Sequence, residues 1–333
     1  MGWLRRIVDA GQAEHQPIAA LADALFLDVH DRRRKRSAFW ALLTLSAVIA
    51  AGGIIGNSTA TVVGAMIIAP LGTPIYGLAL GVVIGARRQL FAALRLLVAA
   101  SAVAIAIGAL CSAVVPSRLP VELNPQITGR TSATVLDLVV ALATGTAGAF
   151  GLTRRDIAPV LPGVAIAISL VPPLATVGYT AGGGHWQLAA GALLLFGANV
   201  IAIVIAGTVV FATAGYAEEA VEHDAHAHHY ALAAVAIAVM LLLVPLGLNS
   251  TQLIAHERWL RETNAAVRGW LAGSEWRLES TDVAGDTIAL RMRGNGEPPP
   301  VEKLRAQLDG KIPRAVRVRV EMQYGKDLIL DWR

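Results

Sequence analysis

Long apolar segments dominate this chain, and they constrain its fold more than any other feature. A helix needs about 20 apolar residues to cross the hydrocarbon of a bilayer, and each segment comes close to that length. Only 16% of the residues are charged, whereas a soluble domain carries about a quarter. We therefore predict seven membrane spans. They cover approximately residues 37–56, 57–85, 90–115, 132–152, 157–179, 188–211 and 230–248.

Clusters of basic residues give these spans an orientation. Arginines and lysines concentrate on the cytoplasmic side of membrane proteins, and here they cluster at Arg32–Arg36, Arg87-Arg88 and Arg154-Arg155. One orientation places all three clusters in the cytoplasm. Seven spans then put the last part of the chain, residues 250–333, outside. Because the basic residues flank apolar runs, we predict the lipid bilayer as partner and no binding of nucleic acid.

Two polar segments flank the predicted membrane domain, residues 37–215. In residues 1–36, Ile18, Leu21, Ala22, Leu25 and Phe26 recur at helical spacing, which indicates an amphipathic helix on the cytoplasmic surface. Residues 216–229, ahead of the seventh span (230–249), combine four histidines with acidic side chains. Such a segment suits zinc or a pH response, but without fixed ligand spacing we interpret it as a solvated loop.

An internal repeat relates the two halves of the membrane domain. Residues 64–74 align with residues 163–173 at an offset of 99, which pairs Gly64 with Gly163 and Pro74 with Pro173. Further along, Gln89-Leu90 pairs with Gln187-Leu188 at an offset of 98. The two units, 37–115 and 131–215, each contain three spans, and an odd number inverts the second unit in the membrane. Inverted repeats are characteristic of secondary transporters.

Prolines interrupt the second helix of each unit. A proline inside a helix removes a backbone donor and disturbs the carbonyl four residues earlier, and freed groups in hydrocarbon must be satisfied by protein or water. Such breaks bind ions or solutes in transporters, although a pair of packing kinks is the alternative. The candidate substrate-binding residues are Asn57, Pro70, Gly72, Thr73, Pro74, Asp137, Ser169, Pro172, Pro173 and Asn199.

Three of these candidates are polar residues away from the breaks. Asp137 is predicted about two turns into the fourth span, where an ionisable group indicates function. The alternative is a pair with Arg130 near the outer interface. The simpler role for Asn57 is to cap the second helix. The simpler role for Asn199 is to bridge two helices. Arg95 is two turns from the inner interface and can extend to it, so it receives no role.

The C-terminal segment, residues 250–333, has the pattern of a small soluble α+β domain. Its alternating segments predict an order α-β-β-α-β, similar in pattern to periplasmic BON-type domains. No nucleophile elbow, phosphate loop, cofactor motif or metal motif occurs in the sequence. We therefore expect no enzyme, no cofactor and no metal, and interpret this domain as an assembly or interaction module.

Several motifs resemble one known family. Residues 55–58, 63–71, 131–149, 161–167 and 170–174 are similar to the bacterial membrane family catalogued as domain of unknown function 389. The resemblance covers about residues 38–211, and the segments G-A-M-I-I-A-P-L and V-P-P-L are its more specific parts. It implies a multi-spanning hydrophobic domain and no established substrate.

The fold class predicted is an α-helical polytopic membrane protein with two inverted three-helix repeats, broken second helices, a seventh helix and a small α+β C-terminal domain. The function favoured is a transporter or channel-like permease for a small solute or ion. The alternative is a non-transporting scaffold or sensor acting through the outer domain. Small-residue helix faces predict a homo-oligomer. Alanine is abundant and arginine outnumbers lysine, a composition that suggests a protein of the bacterial cytoplasmic membrane.

Overall fold

The structure, a computed structural model, describes residues 16–28, 31–115, 121, 124–131, 135–154, 170–219, 262–284, 287–312 and 316–325. The chain divides into two compact units, Met1–Gly247 and Leu248–Arg333. The first unit is helical in its described residues. Its helices are α1 Ile18–Leu25, α2 Arg32–Ile55, α3 Thr59–Ile68, α4 Gly72–Val83, α5 Arg87–Val114, α6 Pro125–Thr128, α7 Val135–Thr153, α8 Val171–Gly182, α9 Trp186–Thr213 and α10 Tyr216–Glu219.

Four of these helices, α2, α5, α7 and α9, are long and apolar enough to cross a membrane. The bent pair α3 and α4 makes a fifth span if it is counted as one. These helices confirm span-length elements at the first, third, fourth and sixth predicted positions. The seventh predicted span and the first part of the fifth lie outside the described residues.

The predicted break in the second span is present. Helix α3 ends at Ile68, α4 begins at Gly72, and the two axes differ by 48°. Pro70 lies in the turn, and Pro74 lies in the first turn of α4, where a missing N–H leaves no helical bond unmade. The same logic places Pro172 and Pro173 in the first turn of α8. Both helices thus have proline in their first turn.

Helix bounds in the two halves coincide at an offset of 99. Adding 99 to the ends of α4, 72 and 83, gives 171 and 182, the ends of α8. The same addition converts α5, 87–114, into α9, 186–213. The turn glycines Gly85 and Gly184, with φ of 67° and 82°, also match. The offset therefore stays at 99 through the third helix, where the sequence alignment gave 98.

Hydrogen bonds define two ends of the helical unit. At the first, here called the basic end, the N–H of Gln16 donates to the carbonyl of Thr153 (2.9 Å), and the Tyr216 hydroxyl donates to the carbonyl of Gln16 (2.7 Å). Lys35 pairs there with Asp23 at 2.7 Å. The start of α2 and the ends of α7 and α9 therefore share the basic end.

The opposite end is built around the short helix α6. The Asn124 side-chain amide donates to the carbonyl of Ile54 (2.8 Å), and the Gln126 amide donates to Thr59 Oγ1 (2.7 Å). Gly191, near the start of α9, lies against the backbone of Thr131. Helix α2 thus finishes, and α9 starts, at this opposite end.

Each long third helix packs on the post-break helix of the other half. Helix α5 packs closely on α8, α9 packs on both α4 and α7, and each of α5 and α9 also packs on the post-break helix of its own half. The core is continuous and rich in alanine, with Leu71, Ile75 and Leu174 fully buried. Burying these apolar side chains holds α4 and α8 in the interior of the unit.

The second unit is a three-stranded sheet covered by helices. Its elements are α11, residues 262–271, β1 Arg277–Ala284, β2 Thr287–Gly294, α12 Val301–Leu308 and β3 Arg317–Tyr324. This is the predicted α-β-β-α-β order. Strand β1 pairs antiparallel with β2, and β3 pairs parallel with β2. Ile288, Leu290 and Met292 are fully buried, so alternate β2 side chains form the core of this unit.

Candidate functional site

The first break is partly accessible and tightly turned. Pro70, Gly72 and Thr73 are half-buried, while Leu71 between them is fully buried. The N–H of Thr73 donates to the carbonyl of Pro70 at 3.2 Å. The predicted residues of this break therefore form one compact turn, anchored by Leu71 in the core.

The second break is described only from Leu170 onward, and Ser169 lies outside the described residues. Pro172 and Pro173 are buried. The Thr176 hydroxyl donates to the carbonyl of Pro172 at 2.9 Å, which satisfies one carbonyl of the first turn. Helix α8 also packs against α3, the helix that precedes the first break. The fold thus joins one helix of each predicted break.

The polar residues away from the breaks lie at three separate places in the helical unit. Asp137 lies in the first described turn of α7, Val135–Thr153. A carboxylate at a helix N-terminus is favoured by the helix dipole, which explains Asp137 without a ligand. Asn199 is buried within α9, at 8% exposure.

Asn57 is an exposed turn residue between α2 and α3. Its φ of 49° is left-handed, a conformation that asparagine adopts more readily than most residues. The cap of α3 is the next residue, since Ser58 Oγ accepts from the N–H of Thr61 (3.3 Å). The capping role predicted for this segment is confirmed for Ser58, and nothing in the geometry directs Asn57 toward the breaks.

A polar cluster at the opposite end was missed in the sequence. Asn124 is fully buried. Its side-chain N–H donates to the carbonyl of Ile54, and its side-chain oxygen accepts from the N–H of Gln126 (2.9 Å). Arg130 donates to the carbonyl of Gln126 at 2.6 Å, and burial lowers the pKa of this guanidinium. These bonds hold α6 on the end of α2, a structural role that no local sequence pattern predicts.

A cavity of about 300 Å³ opens at the basic end. We call it the basic cavity. Four arginines from two helices line it, and its lining also includes Pro74 of the first break. Arg95, which received no role from the sequence, is one of the four. The lining residues are Leu25, Phe26, Leu27, Asp28, Arg32, Arg36, Pro74, Arg88, Gln89, Ala92, Ala93, Arg95 and Leu96.

The described residues contain no group of three histidine, cysteine or acidic side chains that could hold a metal ion. The histidine cluster at 223–229 lies outside them. A second cavity, of about 510 Å³, lies in the C-terminal unit beside Asn264, Arg268 and Trp276.

Long apolar helices, a proline break and a small separate sheet domain define the class: this fold is compatible with a multi-spanning membrane protein. The model of the family described as "Domain of unknown function (DUF389)" matches residues 66–205. The match confirms the predicted domain of unknown function in that part of the chain.

One relative is an uncharacterized protein of Methanocaldococcus jannaschii. It is 30% identical over 209 residues, which are 62% of this chain and 64% of that protein. This chain therefore spans less than two thirds of the relative's length. The relative is archaeal, so the bacterial assignment is not confirmed. No solved structure matches the chain.

Proposed function

We propose that this chain is a membrane transporter or channel-like permease for a small solute or ion. Its site would lie where the proline breaks meet, between two inverted repeats. The observation that carries the proposal is the equivalence of the post-break helices. Both α4 and α8 have proline in the first turn, begin and end at positions 99 residues apart, and lie buried in the core. Broken helices in corresponding positions of two repeats mark the binding sites of many transporters.

The directions of the helices support an inverted relation. Helix α5 begins near the basic end, where Arg88 lines the basic cavity, whereas α9 begins at the opposite end beside Thr131. Helix α9 finishes at the basic end, because Tyr216 follows it closely and bonds Gln16 there. Equivalent helices of the two halves thus run in opposite directions.

The packing of the two halves supports a pair of coupled elements. Because α5 packs on α8 and α9 packs on α4, each long helix contacts the post-break helix of the other half as well as that of its own. Alternating access in such proteins is largely a movement of one repeat against the other around a fixed site. The breaks lie where such a movement would be centred.

Accessibility of the first break supports a path for the solute. Pro74 lines the basic cavity, and Thr73 beside it is half-buried and carries a hydroxyl. A path from the basic end to the break would therefore start in this cavity. Exposed apolar side chains cover the outer faces of the span-length helices, as expected where lipid is the solvent. Examples are Leu45, Phe91, Val98, Leu110, Val139 and Leu193.

The positive-inside rule supports a multi-pass protein of the cytoplasmic membrane, with the basic end in the cytoplasm. We propose a homo-oligomer, a cytoplasmic N-terminus and an extracytoplasmic C-terminal domain. The lipid bilayer is its partner and nucleic acid is not. We propose no catalytic activity.

A non-transporting scaffold is the competing proposal. Residues 171–180 of α8 are all buried, which is what a fully packed bundle would give. The C-terminal unit, with its own core, would then bind the partner. Water access to the breaks separates the two proposals.

Single-cysteine labelling measures that access. In a Cys111→Ala background, cysteines are placed one at a time at Ala69, Thr73, Leu170 and Pro173, in full-length protein in membranes. A small water-soluble thiol reagent is then applied from either side. Transport predicts labelling at both breaks, with a rate that depends on the side of addition.

Two control positions calibrate the labelling. Gly183, exposed in a turn, reports full access to water. Val98, 61% exposed on an apolar helix face, reports a lipid-facing position that the reagent does not reach. If both breaks stay as unreactive as Val98 while Gly183 labels fully, the transport proposal is wrong and the scaffold is favoured.

A further inference from the structure

The basic cavity concentrates positive charge from two parts of the chain. Arg32 and Arg36 line it from α2, and Arg88 and Arg95 line it from α5. Each pair lies on one helix face, at spacings of four and seven residues. The fold therefore brings four guanidinium groups together around one cavity of about 300 Å³, although they lie up to 63 residues apart in sequence.

One carboxylate in the lining partly balances this charge. Asp28 Oδ1 lies 3.3 Å from Arg32 Nε and 2.9 Å from Arg36 Nη2, so it orients the pair on α2. No described residue forms an ion pair with Arg88 or Arg95. Four arginines against one aspartate leave three positive charges facing the cavity, and their mutual repulsion falls when an anion binds.

The helix ends around the cavity add to the same electrostatic field. Helices α2 and α5 begin at Arg32 and Arg87, and neither has a side-chain cap or an acidic residue in its first turn. The N-terminus of a helix carries partial positive charge and free N–H donors. Arginines at that position are unfavourable for the helix by themselves and favourable around a bound anion.

The lining also fixes the kind of anion. Arginine presents a planar fork of donors that matches the oxygens of a phosphate group. Phe26 and Leu96 form an apolar part of the same wall, which suits the organic portion of a phosphate ester. Basic pockets between membrane helices on the cytoplasmic side hold phosphate headgroups by this chemistry.

We propose that the basic cavity is a phosphate-binding site, formed by Arg32, Arg36, Arg88 and Arg95. Its ligand is a phosphate or phosphodiester anion, taken either from the headgroup of an anionic lipid or from free phosphate in solution. The inference does not depend on transport, because a scaffold would hold the same anion.

A charge-matched pair of variants tests the site. Arg88→Gln with Arg95→Gln removes two arginines from the cavity. Arg33→Gln with Arg34→Gln removes two exposed arginines of the same basic end that do not line it. Both variants lose the same charge, so a difference between them reports the cavity and not the net charge. Size-exclusion elution and thermal midpoints in detergent establish that both are folded.

Two probes identify the source of the phosphate. The first is titration of the full-length protein with inorganic phosphate at constant ionic strength. The second is native mass spectrometry after reconstitution into bilayers of phosphatidylcholine with phosphatidylglycerol, which counts the anionic lipids retained. We expect the cavity variant to lose at least tenfold in one probe, while the control variant stays within twofold of wild type.

Each outcome has one meaning. A loss confined to inorganic phosphate assigns a soluble phosphate ligand. A loss confined to retained phosphatidylglycerol assigns a lipid headgroup. If the cavity variant and the control variant behave alike with both probes, the arginines only orient the protein in the membrane and the proposal is overturned.

Discussion

In the helical unit, α5 crosses α8 and α9 crosses α4 at equivalent positions, but the helices of the two pairs approach each other to different extents. In the crossing of α5 and α8, Gly108 and Gly178 bring backbone against backbone: a Cβ at Gly178 would overlap the carbonyl of Ile105 and lie 2.8 Å from the nitrogen of Ala109. In the crossing of α4 and α9, Ala79 stands at the position equivalent to Gly178. There Gly207 faces side chains, and a Cβ added to Gly207 would lie 2.9 Å from Ala79 Cβ.

The difference shows that the same arrangement of two helices can be packed in two ways. Small residues let helix backbones meet closely in membranes, where packing rather than water drives association. The α5–α8 crossing uses glycine on both helices. The α4–α9 crossing fills the same space with Ala79 and the ring of Tyr76, whose equivalent in α8 is Ala175. The first crossing is therefore intolerant of added volume, and the second has side chains that can move.

The largest expected effect is at Gly178. Gly178→Ala places a methyl group against the backbone of α5, and overpacking of this kind costs roughly 1–3 kcal/mol or more. We expect about 3 kcal/mol here because backbone atoms cannot yield without separating the helices. The free energy of unfolding by SDS titration in detergent measures it.

Gly52→Ala is the matched control for this change. Gly52 lies within α2 with nothing within 4 Å of an added Cβ, so alanine should be neutral or stabilising by up to about 1 kcal/mol. Equal effects of the two substitutions would mean that the α5–α8 crossing is not close.

A smaller loss is expected at Gly207. Gly207→Ala should cost about 1–2 kcal/mol, since its methyl group meets Ala79 and Tyr76, which are side chains. Adding Ala79→Gly should recover part of that loss by removing the opposing methyl group. A double-mutant cycle on the unfolding free energy should give a favourable coupling of at least about 0.5 kcal/mol. Additive effects would place the two residues out of contact.

The smallest expected loss of stability comes from one hydrogen bond that Tyr76 of α4 makes and that α8 lacks at the equivalent position. The Tyr76 hydroxyl donates to the carbonyl of Gly145 at 3.1 Å, so Tyr76→Phe should lower the unfolding free energy by about 1 kcal/mol. Tyr179→Phe in α8 is the control, because no described residue bonds that hydroxyl, and it should change stability by less than about 0.5 kcal/mol. The same unfolding titration distinguishes the two variants. If Tyr76→Phe costs no more stability than Tyr179→Phe, the assigned hydrogen bond is contradicted.

Much of the helical plan was predictable because its signals are local. Prolines 70 and 74 marked the break, and alternation of Val316, Val318 and Val320 marked strand β3. An apolar stretch does not reveal which residue makes the first helical turn, so the sequence alone does not place Asp137 within its helix. Arg95 was passed over since one arginine near a span end has an ordinary explanation in snorkelling. Only the approach of α2 to α5 places it beside Arg32 and Arg36.

By itself, the sequence determined the apolar helices, the proline break, the 99-residue offset between the two break segments and the order of the C-terminal elements. These follow from hydropathy, backbone chemistry and periodicity, which act over a few residues. The tertiary structure alone decided that α5 packs on α8, that α6 caps α2 through Asn124, that β3 pairs parallel with β2, and that four arginines share one cavity. Those contacts join residues far apart in sequence, and shape and burial in three dimensions select them.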